Sequence, residues 1–312
     1  MSKQYAIGLD LGGTSIKYGI CSDDGEIVSR FKRPSHADKD ADVVLEQLVA
    51  AAKEAQEFAD SKGIKLEALG IGTPGSVDVK TGYLKGGTPN FKYWRNVAIK
   101  DRLESSINLP VFADNDANVM AYGEMRYGAG EGCKDIVCIT LGTGIGGGII
   151  IDGNLFRGSN YAGSEVGHMS IHYDGKRCRC GGIGCWEKYA SATAMIDHYR
   201  ELNPDSDVSS TIGIFERYAG NENAAIEVVE RGASMVAAGL ASLVNIFNPQ
   251  RIIIGGGVSE AGDWYIAKIK RETCLRSMEP AQEGLEVVAA RLGNKAGLLG
   301  AAGLALDMQA AK

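Results

Sequence analysis

No apolar run in the chain is long enough to span a bilayer, and its start, MSKQYAIGLD, passes from polar residues straight into a strand-like run. Neither a membrane anchor nor a secretory leader is therefore expected. A basic excess is missing too: 33 Lys and Arg against 39 Asp and Glu leave a formal charge of −6, and the cations are scattered. That balance offers no footprint for a nucleic-acid backbone or an anionic membrane, so neither is an expected partner. The cytoplasm is the expected compartment, and its reducing poise disfavours pairing among the seven Cys. No GxxxxGK followed by Ser or Thr occurs, which excludes a Walker-type P-loop. Gly142-x-Gly144-x-x-Gly147 satisfies GxGxxG in form. Gly148 to Ile151, however, continue as strand where a dinucleotide fingerprint needs a helix N-terminus. No linker or low-complexity tract divides the 312 residues, although that length exceeds what one core usually supports and two domains are expected.

What is present is concentrated between Glu165 and Glu187, in the stretch EVGHMSIHYDGKRCRCGGIGCWE. His168, Cys178, Cys180 and Cys185 supply one imidazole and three thiols, a donor set that suits a closed tetrahedral zinc site with no open position. Ordinary buried cysteines, or a disulfide with one thiol left over, are the alternatives. Three Cys within eight residues, with glycines between them, have the spacing of ligands. A structural zinc ion would pin a loop that carries Glu165 and Glu187.

A weak internal echo organises the rest. Tyr5 to Cys21 and Ile136 to Asp152 each read as a β-hairpin, with glycine turns Gly12-Gly13-Thr14 and Gly142-Thr143-Gly144. Duplicated hairpins suggest two similar α/β domains with a cleft between them. Ala41 to Ser61 has the spacing of an amphipathic helix, Leu69 to Thr73 of a buried strand ending in Pro74-Gly75, and Asn223 to Phe247 of a long helix stopped by Asn248-Pro249. Val111 to Ala113 forms a short strand that delivers Asp114, Asn115 and Asp116 ahead of a helix beginning near Ala117. Polar residues at the carboxyl end of a strand are in the usual place for a site in an α/β sheet. The strand Arg251 to Ile254 leads into a third turn, Gly255-Gly256-Gly257, and Ala296 to Met308 reads as a packed terminal helix. Glycine-rich turns leave amide N–H groups uncovered for a phosphorylated ligand.

The motifs GLDLGGTSIK, GIGTPGSVD, TPNF, ADNDAN, ITLGTGIGGGI, SEVGH, CRCGGIGCWE and RIIIGGGV occur in this order. Together the chain resembles a sugar kinase of the ROK family within the actin, Hsp70 and hexokinase superfamily, most like the bacterial ATP-dependent glucokinases, and the resemblance runs over its whole length. It implies an α/β fold of two similar domains of the ribonuclease H-like type with a central cleft. The expected boundaries are a smaller N-terminal domain over 1–115, with the helix 296–312 packed back on it, and a larger domain over 116–295 with the zinc loop. The implied reaction is transfer of the ATP γ-phosphoryl group to a hexose, glucose first and an N-acetylhexosamine, fructose or allose as the alternative. A homodimer is implied as well. Sugar-responsive repressors of the same family carry an N-terminal winged helix, for which a first strand at about Tyr5 leaves no room.

The resemblance also implies roles. Amides around Gly12, Gly13, Thr14, Gly142, Thr143 and Gly144 would cradle the phosphates, Asp10 would hold Mg²⁺, and Gly256 and Gly257 would meet the adenosine. Asp10 as a turn-stabilising carboxylate is the alternative. A sugar hydroxyl needs a carboxylate to take its proton. Asp114 and Asp116 both qualify, and in an extended segment they would point the same way. The family's Asn-Asp motif falls on Asn115-Asp116 and assigns the base to Asp116, with a helix N-cap as the alternative role. Sugar contacts are implied for Asn90, Asn115, Asp116, Glu165, His168 and Glu187, with backbone near Gly75. One nitrogen of His168 on zinc leaves the other for the sugar. Many relatives carry Lys directly after the GGT triplet. This chain has Ser15 there and Lys17 two positions later, so no phosphate role is expected of Lys17.

Overall fold

The computed structural model of the chain describes residues 3–86 and 91–312, with the backbone alone at Glu260. They fall into two compact units: Met1–Gly132 with Leu155–Ser164 and Leu292–Lys312, and Cys133–Asn154 with Glu165–Arg291.

In the first unit, β1 (Tyr5–Leu11) and β2 (Ser15–Ser22) form an antiparallel hairpin, and β3 (Ile27–Pro34) extends it. After α1 (Ala41–Lys62), β4 (Leu66–Thr73) returns parallel to β1. The short strands β5 (Ser76–Asp78), β6 (Tyr83–Gly86) and β7 (Val97–Ala98) make a separate small sheet. Helix α2 (Ile99–Ile107) precedes β8 (Val111–Asn115), which pairs parallel with β4, and α3 (Asp116–Tyr127) follows directly. The main sheet therefore has the order β3-β2-β1-β4-β8. Alternation along β1 explains how both faces are covered. Ile7, Leu9 and Leu11 pack with Val44, Leu48, Ala51 and Ala55 of α1, whereas the small residues Ala6 and Gly8 point to the opposite face. Helix α1 ends at Gly63, whose φ of 67° is the left-handed conformation that a C-terminal cap favours.

The second unit repeats this plan. Strands β9 (Ile136–Leu141) and β10 (Ile145–Ile151) form its hairpin, and β11 (Asn154–Leu155) continues at its edge. Helices α4 (Glu187–Ala190), α5 (Ala192–Leu202), α6 (Thr211–Ala219) and α7 (Asn223–Phe247) lead to β12 (Arg251–Gly255). Helix α8 (Asp263–Cys274) then leads to β13 (Glu286–Ala289). The order is β11-β10-β9-β12-β13, with β12 parallel to both of its neighbours. Position for position this is the order of the first sheet. Val137, Ile139 and Leu141 pack against Val229, Val236 and Leu240 of α7, with Trp186 fully buried among them. Asn248 takes a φ of 42° at the end of α7, just ahead of Pro249, so the helix stops where expected.

Helix α9 (Ala296–Ala310) belongs to the first unit. Its apolar residues run all round, so it must be covered on every side. Close approach is secured by small residues on both partners. A Cβ on Gly70 of β4 would lie 1.8 Å from the Ala301 carbonyl oxygen, and one on Gly300 would lie 1.9 Å from that of Val119 in α3. Asp307 of α9 is held by Tyr122 and Arg126 of α3. This packing draws α3 into the first unit, and residues 155–164 lie there too, whereas the boundary at 115 had assigned both to the second.

Candidate active site

Each hairpin turn is closed by one backbone bond, Gly12 N–H to the Ser15 carbonyl at 3.0 Å and Gly142 N–H to the Gly144 carbonyl at 3.0 Å. Thr14 accepts from the Ser35 amide at 3.3 Å, and the Thr143 carbonyl accepts from the Thr193 hydroxyl at 2.8 Å. A side chain begun at Gly13, Gly142 or Gly257 would meet no atom within 4 Å, so these turns face open space. Gly256 differs. Its φ is 86°, and a Cβ there would lie 2.4 Å from the Leu141 carbonyl oxygen, so only glycine lets the turn after β12 settle against the end of β9. Within the second unit, two of the three glycine turns are thereby brought together. In the first unit, Asp10 ends the buried run of β1, with its Oδ2 3.7 Å from Lys17 Nζ. A Cβ on Gly297, in the first turn of α9, would fall 2.6 Å from the Asp10 carboxyl carbon. Burial raises the Asp10 pKa, and Lys17 opposes that shift. The lysine thus neutralises a carboxylate.

The strand β8 ends in Asp114-Asn115, and α3 begins at Asp116. The extended backbone runs through Asn115, and the helix starts at Asp116. Asp114 is buried at 2% exposure, and every visible role of its carboxylate is internal. It accepts from Asn115 N–H at 2.7 Å, Asn118 Nδ2 at 3.1 Å and Arg157 Nε at 2.7 Å. The helix cap is Asn115 and not Asp116: its Oδ1 accepts from the amides of Ala117 at 2.9 Å and Asn118 at 3.2 Å. Asn115 Nδ2 donates to the Gly75 carbonyl at 3.2 Å, which leaves one amide hydrogen for another acceptor. Gly75 itself has a φ of 99°. Asp116 opens the helix half-buried. Asn90 lies outside the described residues.

In the second unit, His168 closes a short helical turn over Val166–His168 that starts from Glu165. The donor atoms of His168, Cys178, Cys180 and Cys185 all lie within 4.8 Å of one another. Cys178 Sγ is 3.7 Å from His168 Nδ1, and the Sγ atoms of Cys180 and Cys185 are 3.5 Å apart. A tetrahedron with Zn–S bonds of about 2.3 Å has edges near 3.8 Å, so the set fits zinc. The loop is shaped for this by a tight turn. Cys178 N–H bonds the Gly182 carbonyl at 2.9 Å, Gly181 N–H bonds the Cys178 carbonyl at 3.1 Å, and Gly181 has a φ of 94°. Burial raises the Cys178 thiol and pushes that of Cys185 up to about 12, while the Gly182 amide lowers that of Cys180.

Glu187, the first residue of α4, joins the His/Cys cluster to the glycine turn. Its Oε1 accepts from Cys178 Sγ at 3.2 Å and lies 3.8 Å from His168 Nδ1. Its Oε2 would lie 2.6 Å from a Cβ at Gly144, so that glycine makes room for the carboxylate. Burial raises the Glu165 pKa. His168 opposes the shift and Glu187 adds to it. One cluster therefore contains Glu165, His168, Glu187 and three thiols.

The sequence profile of the ROK family matches residues 6–308, nearly the whole chain. The chain belongs to the ROK family. The glucokinase of Halalkalibacterium halodurans is 35% identical to it over 96% of this chain and 94% of its own length. The glucokinase of Streptomyces coelicolor is 36% identical, with 96% and 97% covered. The crystal structure of a ROK family glucokinase from Streptomyces griseus in complex with glucose and AMPPNP is 38% identical, covers 97% of this chain and 99% of that one, and superposes with a TM-score of 0.81. The fold is accordingly that of the ROK hexokinases, α/β with two units of the actin-like type. Two partners in this ROK chain had no signal in the sequence. Arg157 reaches Asp114 from 43 positions away, and the start of α9 abuts Asp10 from the far end of the chain.

Proposed function

We infer that the chain is an ATP-dependent glucokinase that transfers the γ-phosphoryl group to the O6 hydroxyl of glucose. The observation that carries this is the match, over nearly its full length, to a glucose- and AMPPNP-bound ROK glucokinase. Phosphoryl transfer passes through a loose transition state whose charge lies on the phosphoryl oxygens, so the protein must position and stabilise more than react. In this reading Asp116 takes the proton of the attacking hydroxyl as its oxygen bonds to phosphorus and ADP leaves. Asn115 is already oriented by its cap and by Gly75, and its remaining amide hydrogen serves a sugar oxygen. Glu165 and Glu187 accept from sugar hydroxyls, and Asn90 adds a further contact.

Amides of Gly12, Gly13, Thr14, Gly142, Thr143 and Gly144 receive the phosphates, and Gly256 and Gly257 receive the adenosine. Asp10 holds Mg²⁺, a hard cation that suits a carboxylate and neutralises phosphate charge when bound. His168, Cys178, Cys180 and Cys185 hold a structural Zn²⁺. With Nδ1 facing the thiols, His168 keeps Nε2–H as a donor to the sugar. The same reading makes the protein a cytoplasmic homodimer that serves glycolysis and works on small molecules without nucleic acid. No helix among the described residues is long and apolar enough to cross a membrane.

The test is a side-by-side panel of glucose, mannose, fructose, allose, N-acetylglucosamine and N-acetylmannosamine with coupled ADP detection. Glucose is expected to give the highest kcat/KM. A higher value for an N-acetylhexosamine or fructose would overturn the sugar assignment and leave the kinase.

A further inference from the structure

Arg157 is the residue that the proposed chemistry leaves unused, and its surroundings give it a task. It lies in a loop, 156–164, that is closed at its base: Gly163 N–H bonds the Arg157 carbonyl at 2.9 Å, and Ser164 Oγ donates to the Phe156 carbonyl at 2.8 Å. Within the closed loop Gly158, Tyr161 and Ser164 take φ values of 71°, 65° and 67°. Two of these residues carry side chains that disfavour the left-handed region, so the loop keeps this shape because its base is fixed. Ser164 is followed by Glu165, one of the proposed sugar contacts. The Arg157 side chain meanwhile leaves the loop and donates from Nε to Asp114 at 2.7 Å. Asp114 in turn holds the Asn115 amide and the Asn118 side chain, which are the first elements of the turn that presents Asp116.

We propose that the Arg157–Asp114 ion pair is a positioning device for the sugar-phosphorylating turn. One arginine fixes, through its guanidinium, the backbone that carries Asn115 and Asp116, and through its backbone carbonyl the base of the loop that leads to Glu165. An exposed pair would contribute little, but here the carboxylate is fully enclosed. Neither residue touches the transferred group, so both are positioning residues. The inference rests on Asp116 as the base.

Removing Arg157 alone strands a buried charge and threatens folding, so the deciding variant is the neutral pair Asp114→Asn with Arg157→Gln, which keeps polar groups on both sides. Its thermal midpoint, kcat, and KM for glucose and for ATP are measured together. The expected result is a folded protein whose kcat falls about tenfold or more and whose KM for glucose rises, with KM for ATP little changed, since a displaced reacting group costs rate steeply. Where Arg157→Ala folds, millimolar methylguanidinium is expected to restore much of its rate without moving its thermal midpoint. A folded double variant with wild-type kcat and glucose KM overturns the proposal, as does a loss that falls equally on glucose and ATP. Asp116→Asn is assayed in parallel. A near-normal rate there removes the base assignment, whereas a dead Asp116→Asn beside a normal double variant removes only the role of the pair.

Discussion

Asp114 and Asp116 are separated by one residue and stand in different elements, for β8 ends at Asn115 and α3 begins at Asp116. Asp114 faces inward and is saturated by Asn115, Asn118 and Arg157, while Asp116 begins α3 after Asn115 has taken the capping role. Two aspartates at alternate positions were legible in the sequence, but the pairing of Asp114 with an arginine 43 positions away was not. Asp116→Asn keeps volume and hydrogen bonding but cannot take a proton. It is expected to lower kcat by roughly 10²-fold or more while sugar binding stays measurable. Asp114→Asn is expected to lose less, because an amide still accepts from the Asn115 N–H. Steady-state kinetics on both decides, and equal losses or a near-normal rate for Asp116→Asn would contradict the assignment. The same contrast holds for Lys17. Its position two residues beyond the usual lysine was visible in the sequence, whereas its contact with Asp10 needed the register of the β1–β2 hairpin.

Strands and helices were easier to read than their partners. The hairpin echo, the long helix α7 and the terminal helix came from periodicity and turn residues, which are local properties. Where α9 docks is a long-range property, encoded in glycines that are silent in a hydrophobic pattern. Gly70→Ala, with its Cβ 1.8 Å from a backbone oxygen, is expected to destabilise by at least about 2 kcal/mol and lower the melting temperature by several degrees. Gly13→Ala meets open space and is expected to melt normally while raising KM for ATP, because the methyl group would crowd the phosphates. Circular dichroism melts and ATP titrations separate the two, and an unchanged melt for Gly70→Ala would contradict the packing described. The cysteine loop was legible from spacing alone, although the contact between Glu187 and Cys178 was not. About one zinc per chain is expected on metal analysis of protein purified without chelator, the stoichiometry of a single four-ligand site. Cys180→Ala is expected to lose the metal and weaken glucose binding with ATP affinity less affected. Zinc-free protein or full sugar affinity in Cys180→Ala would leave these cysteines with another purpose.

The whole chain is two units built on one strand order, each with a glycine-turned hairpin at its heart. That duplication was readable as an echo of two hairpins, but the assignment of α3 and residues 155–164 to the first unit was not, because it follows from packing on α9 and from the Arg157–Asp114 pair. The acidic balance and the absence of a phosphate-binding P-loop were informative at this scale. The first offers no footprint for a nucleic-acid backbone, and the second excludes a Walker-type loop. The central claim is that this assembly moves one phosphoryl group from ATP to glucose. Its most direct test is a product balance on purified protein with Mg²⁺, ATP and glucose, following ADP and glucose 6-phosphate separately. Equal amounts of both, dependent on both substrates and abolished in Asp116→Asn, are predicted. ADP formed without sugar phosphate, or no turnover with any hexose, would contradict the account.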